Sequence, residues 1–521
     1  MTRTVARLFA ACWLALLGAP ALADPADIAA ASRSVVRVVI LETDGTRASI
    51  VGHGTGFAVA PNLVVTNAHV VEQLRQDDSL LVGVVPPQGR AGVQASLVAT
   101  STRNDLALLR IDGPSGGRGM LPAATLYPGA VQDSAEVFAV GYPGNVDMAQ
   151  GLSMADLVTP QAAVKTRGYV SAGRSSKQFD TILHTAPLGS GNSGGPLLDS
   201  CGRVVGVNSF GTVSDNGTDS SFFFAISMRE LAGFLRQAGV EPHTSGLPCT
   251  SIADLDRADA TRAMGEQARA AAEEQGRLEA RQRAQDKARR DAELAVLSER
   301  DNGLALAALL LVGALAMGGW AFLQGQRGEA RAMKIFGGVA GALVLAAVVA
   351  WLLRPSLASI DERAADLLAE PEASASASAE PLPARNGTGR MTCVIDTSRS
   401  RVTVSDITDV PLDWSAGGCV NGRTQYGLAE DGWSRVLVPN GEDTISVTHY
   451  DPATRGYTVE RFLMGLDAMT QARAARAKIV APACGAGEDA ARQFGAAQRA
   501  ITALLPAEPN ERMRYNCQPT P

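Results

Sequence analysis

Residues 189–199 read "GSGNSGGPLLD", four glycines around two serines, just ahead of an apolar run. Glycine is costly to order and buries no side chain. Such a cluster is a turn, or it holds Ser193 in an unusual backbone pose for chemistry. A serine hydroxyl is a poor nucleophile until a base takes its proton. The chain has five histidines, so each candidate base can be weighed. His243 and His449 lie outside the strand-rich block that contains Ser193. His53 sits between glycines in a strand, and His184 is nine residues before the serine, in the strand that feeds its turn. His69, in "VVTNAHVVE", follows a strand and opens a helical turn, which sets an imidazole at the end of a rigid element. A base of this kind needs a third group to fix its tautomer and stabilise the imidazolium. Asp105, in "STRNDLALLRI", stands directly before an alternating apolar strand. Alone, an aspartate there is a turn residue and a histidine is structural. In the order His, Asp, Ser within one block, they are the parts of a nucleophilic triad.

The elements that must position these residues are short. "SVVRVVIL", "TGFAVA", "LVVTN", "LALLRI", "AEVFAVG" and "VVGVNSF" are apolar runs broken by Gly, Pro, Asn and Asp between residues 31 and 240. Strands at this spacing predict an all-β sandwich or barrel. "SMRELAGFLRQAG" then predicts a closing helix.

"GTGFAVAPNLVVTNAHVV", "NDLALLRI" and "GNSGGPLLD" together resemble the trypsin-like serine proteases, particularly the bacterial Deg/HtrA branch. The resemblance covers residues 31–240 and implies a double β-barrel over residues 24–246. It implies that His69 is the general base, that Asp105 orients it and that Ser193 is the nucleophile. The amides of Gly191 and Ser193 would form the oxyanion hole, and Ser209, Phe210 and Gly211 would pair with the backbone of an extended protein or peptide substrate. The base of the S1 pocket falls at Ala186-Pro187-Leu188, where no acid stands, so Arg or Lys at P1 is not expected. Phe223 aligns with a pocket wall where the family often has glycine, which implies a narrowed pocket and small or medium apolar P1 residues. No PDZ-like domain and no buried-N-terminus activation signature is evident.

The rest of the chain sets the context. "MTRTVARLFAACWLALLGAPALAD" has a charged start, a short apolar run and an Ala-x-Ala end, the pattern of a signal peptide over residues 1–23. The remaining cysteines, Cys201, Cys249, Cys393, Cys419, Cys484 and Cys517, are even in number, which suits disulfides in an exported chain. Cys201 with Cys249 and two bridges within the C-terminal part is the expected arrangement, with the pairing of the latter four open. Residues 250–301 are rich in Ala, Glu, Arg and Gln and lack proline. They predict a long solvated helix of about 70 Å, a stalk or loose coiled coil and a candidate for homo-oligomerisation. Residues 302–326 and 335–353 carry no charge, and each suits a membrane-spanning helix of roughly 20 residues. The connector at 327–334 has a basic excess, which predicts a cytoplasmic loop. The hairpin would then hold the protease and C-terminal domains on the periplasmic side of an inner membrane. A Pro/Ala/Ser linker is expected over 355–390, followed by a small α+β domain over 391–521 that opens with strands and ends with two helical stretches.

The net charge of −6 argues against a nucleic-acid partner, and no cofactor or metal motif is present. Three functions remain on the sequence: a membrane-tethered serine endopeptidase, a catalytically silent scaffold of the same fold, and an envelope-binding protein acting through the C-terminal domain.

Overall fold

The structure, a computed structural model, describes residues 25–43, 48–77, 79–89, 91–112, 121–175, 179–212, 222–376, 387–430 and 432–520. The expected signal peptide lies outside these residues. After a first helix α1 (Pro25–Ala31), twelve strands form two closed six-stranded barrels. The first contains β1 (Val35–Thr43), β2 (Ala48–Ala60), β3 (Leu63–Thr66), β4 (Leu80–Val85), β5 (Val93–Ser101) and β6 (Leu106–Ile111). The second contains β7 (Glu136–Gly141), β8 (Val164–Ser175), β9 (Asp180–His184), β10 (Pro196–Leu198), β11 (Val204–Gly211) and β12 (Phe223–Ser227). A short helix, α2 (Gly144–Ala149), follows β7, and α3 (Met228–Gln237) closes the block as expected.

The valine-rich runs are explained by burial on both faces. Val36, Val38, Ile40, Ala58, Val64, Ala107 and Leu109 fill one cluster of the first barrel. Their strand neighbours Val35, Phe57, Val65, Leu106 and Leu108 join Val140, Val207 and Ile226 of the second barrel and Leu231 of α3 in another. Side chains alternate across a strand, so a run apolar at every position is what two buried faces require.

Helix α4 runs without a break from Ile252 to Gln326, so the charged stretch and the first apolar run are one helix of 75 residues. Helix α5 (Ala330–Leu352) carries the second apolar run and takes in residues 330–334 of the expected loop, which needs correction to 327–329. The expected linker needs correction: residues Ser359–Ser376 form helix α6, because "DERAADLLAE" is made of strong helix formers. Residues 377–386 of that linker lie outside those described.

The C-terminal domain is a nine-stranded antiparallel sheet with β13 (Gly389–Ile395) and β21 (Glu511–Pro519) at its centre. Two helices, α7 (Leu466–Ala477) and α8 (Glu488–Thr502), precede β21, so the domain ends on a central strand and not on its helices. Three disulfides join Cys201 to Cys249, Cys393 to Cys517 and Cys419 to Cys484. The first is the expected bridge, and the other two resolve the open pairing.

This domain and the barrels form one compact unit. Asp27 of α1 pairs with Arg401, both side chains only 2% exposed, and accepts from Asn510 Nδ2 at 2.8 Å. Removing one partner of a buried ion pair leaves the other charge unpaired and costs about 3–5 kcal/mol. Arg401→Met should therefore lower the denaturation midpoint of the full chain and loosen the C-terminal domain to limited proteolysis; an unchanged midpoint would show that this pair does not join the domains.

Candidate active site

His69 and Asp105 meet because of strand register. β3 pairs with β6 through Thr66 and Ala107, so the chain leaving β3 and the chain entering β6 lie side by side. The Asp105 carbonyl accepts from the Ala68 amide at 3.1 Å and from Asn67 Nδ2 at 2.9 Å. His69 opens the 3₁₀ turn His69–Arg75, and its Nδ1 lies 2.9 Å from Asp105 Oδ2 and 3.1 Å from Oδ1. Its amide donates to the same carboxylate at 3.0 Å. Asp105 adopts φ +53°, a strained pose that turns its side chain toward the histidine.

A fourth group completes this set. Ser209 Oγ donates to Asp105 Oδ2 at 2.6 Å. The sequence assigned Ser209 only to substrate pairing; its hydroxyl also serves the carboxylate. Burial alone would raise the Asp105 carboxyl, but hydrogen bonds from His69 and Ser209 with the nearby imidazole outweigh it and hold it below the usual carboxylate value.

Ser193 arrives from the second barrel, on the loop before β10. Its carbonyl accepts from the Thr55 amide at 2.9 Å, which joins the loop to β2. Its hydroxyl donates to the Ser209 carbonyl at 3.0 Å and makes no hydrogen bond to His69. The amides of Gly191 and Ser193 have no hydrogen-bond partner among the described residues, so both are available to an oxyanion. Gly191 has φ +99°, and a Cβ there would lie 2.4 Å from the Tyr142 carbonyl and 2.6 Å from His53 Nε2, so only glycine fits. Thr55, fully buried, donates its hydroxyl to the Gly191 carbonyl at 2.7 Å and accepts from the Tyr142 amide at 3.0 Å. It stands in the quoted "GTGF" but had no role in the sequence reading.

Around the serine, Phe223 pairs across the sheet with Gly211 on one side and His184 on the other. Its ring packs on Gly211, where an added Cβ would meet it at 2.8 Å. Phe210 is half exposed and stacks on Phe224 with centroids 4.8 Å apart. Pro187 is exposed and Leu188 is partly buried against the second barrel. Among the described residues no cluster of histidine, cysteine and carboxylate groups is arranged to hold a metal ion.

Residues 54–207 match the family model of the trypsin-like peptidase domain, under a third of the chain. The magnetosome formation protease MamE of Paramagnetospirillum magneticum is 31% identical over 195 residues, which cover 36% of this chain and 24% of MamE. A protein of Pseudomonas savastanoi pv. phaseolicola named "Probable periplasmic serine endoprotease DegP-like" is 33% identical over 162 residues, covering 30% of this chain and 28% of that one. A serine protease of Mycobacterium tuberculosis (strain H37Rv) is 30% identical over 237 residues, covering 44% and 53%. The chain thus spans between a quarter and about half of the length of these relatives.

His184 supplies a test of the barrel beneath the site. It is fully buried, and burial, only partly offset by the Asn208 side chain, pushes the imidazole down to about 4. A base with a lowered folded value contributes fully above its unfolded value of roughly 6.5, and that contribution is lost as pH falls toward the folded one. Wild type should lose on the order of 3 kcal/mol between those limits relative to His184→Gln. Denaturation curves at pH 7 and pH 4.5 check this; parallel losses in both proteins would refute it.

Proposed function

We propose that the trypsin-like peptidase domain of this chain is a working serine endopeptidase, tethered to the inner membrane and facing the periplasm. The observation that carries the reading is the His69–Asp105–Ser209 network beside a serine loop with two free amides. In the first step Ser193 Oγ attacks the scissile carbonyl carbon, and His69 Nε2 takes its proton. Asp105 holds Nδ1–H and stabilises the imidazolium. The Gly191 and Ser193 amides bind the oxyanion where negative charge develops. His69 then gives the proton to the leaving amine, which departs as the acyl-enzyme forms. Water, deprotonated by His69, releases the acid and restores Ser193.

The substrate is a protein or peptide segment laid along Ser209-Phe210-Gly211. The absence of an acid at Ala186-Pro187-Leu188 and the Phe223 ring on Gly211 favour small or medium apolar P1 residues. Processing or quality control of envelope proteins is the matching role. A silent scaffold would rest on the Ser193 hydroxyl being turned to the Ser209 carbonyl; fluorophosphonate labelling separates the two readings.

Tethering is supported by two observations. Helices α4 and α5 are both long and apolar enough to cross a membrane. The protease barrels and the C-terminal domain share the Asp27–Arg401 pair, so both lie on one side and the chain between them crosses an even number of times. The connector's Arg327, Arg331 and Lys334 against Glu329 favour a cytoplasmic turn.

Two experiments test this. Full chain in detergent micelles should cleave casein and react with a fluorophosphonate, and Ser193→Ala should abolish both. Equal signals from the two proteins would end the protease reading. A reporter inserted after Lys334 should read cytoplasm and one at the C-terminus periplasm; the opposite pattern would reverse the topology.

A further inference from the structure

The amide that would bind the oxyanion belongs to the Ser190–Gly191 peptide. In a trans peptide the carbonyl and the N–H point in opposite directions. Whatever holds the Ser190 carbonyl therefore aims the Gly191 amide. That carbonyl accepts from the Gly144 amide at 2.8 Å. Gly144 is the first residue of α2, which has only six residues and cannot hold its place by its own hydrogen bonds.

What fixes α2 is Asp147. Arg37 donates to its two carboxylate oxygens at 2.7 and 2.9 Å. Arg37 lies on β1, in the other barrel, and is only 1% exposed, with its guanidinium 4.8 Å from the centre of the Tyr142 ring. A buried ion pair adds little net stability over an apolar pair of equal volume. A bidentate guanidinium–carboxylate pair does add direction, because its two parallel bonds admit one orientation. His53 fills the remaining space, with Nε2 3.8 Å from Asp147 Oδ2 and against the Cα of Gly191.

We propose that the Arg37–Asp147 pair is a positioning device for the oxyanion hole: a latch between the barrels that holds the Ser190–Gly191 peptide with its amide turned to the substrate. This rests on the endopeptidase reading. With the latch open, α2 is free to shift and Gly144 releases the Ser190 carbonyl. Glycine at 191 then permits the peptide to turn over, since it occupies both signs of φ readily. The hole loses one donor. The β11 edge that binds substrate is untouched, so the loss falls on the chemical step and not on binding.

The test uses the full chain in micelles and three variants. Arg37→Met removes the guanidinium, and Arg37→Met/Asp147→Leu removes the pair without leaving a buried charge. Gly144→Pro keeps both members of the pair, removes the amide that anchors Ser190 and sets its ring Cδ where that hydrogen bond ran, which drives the Ser190 carbonyl away. Proline suits the first helical position, and Pro143 at ψ 125° already has the extended pose a following proline needs. The double variant and Gly144→Pro should each lower kcat on the order of 100-fold, with the fluorophosphonate labelling rate falling in parallel. KM for a peptide substrate should stay within about threefold. A folded double variant, or a folded Gly144→Pro, with wild-type kcat would overturn the proposal. If Arg37→Met alone fails to fold, those two variants still decide. Ser193-dependent labelling of wild type checks the underlying endopeptidase reading separately, because the latch is read only from variant-to-wild-type ratios.

Discussion

Thr55 is the joint on which the candidate site depends. Ser193 and His69 come from different barrels, and nothing in either barrel alone sets the distance between them. Thr55 spans the gap with three of its polar groups. Its amide holds the Ser193 carbonyl, its hydroxyl holds the Gly191 carbonyl, and its own carbonyl accepts from Thr66 Oγ1 at 2.7 Å, three residues before His69. One residue of β2 thus touches the Ser193 loop and the end of the strand that leads to His69. Because Thr55 is fully buried, every one of these groups must be paired, and the pairing leaves little freedom for the loop.

The same logic separates the rigid parts of the site from the adjustable ones. Asp105 is held by strand register, by two groups on the turn it faces and by Ser209 from the second barrel. Its orientation does not depend on a bound substrate. The Ser193 hydroxyl, in contrast, has one partner and one rotatable bond. The Ser190–Gly191 peptide stands between these extremes, fixed only through α2. The His69–Asp105 geometry is thus held by more contacts than the Ser193 loop is.

Much of this was legible in the sequence. His69, Asp105 and Ser193 each stand at a strand end in a block of short apolar runs, and the barrels follow from those runs. What escaped has a common cause. Thr55 looks like one small residue among glycines, and Arg37 in "SVVRVVIL" looks like the polar position of a strand. Its partner is 110 residues away, so only the folded chain shows that the charge is buried and paired. Helix α6 was hidden by the Pro/Ala/Ser composition that follows it. Strand β21 was missed because its buried positions, Glu511, Met513, Tyr515 and Cys517, alternate with half-buried or exposed ones but include a carboxylate. That carboxylate is buried because the amides of Thr403 and Ser405 donate to it at 2.6 and 2.9 Å, a compensation no local pattern displays.

The Asp27–Arg401 pair also has a meaning in time. The two residues are 374 positions apart, with both apolar helices between them. A chain is made from its N-terminus, and domains fold as they emerge. The barrels are therefore complete in sequence long before Arg401 exists. Until it arrives, Asp27 lacks this partner, and the surface that the last domain covers in the folded chain is bare. The pair can therefore form only after the intervening helices have been made and the final domain has returned to the first helix.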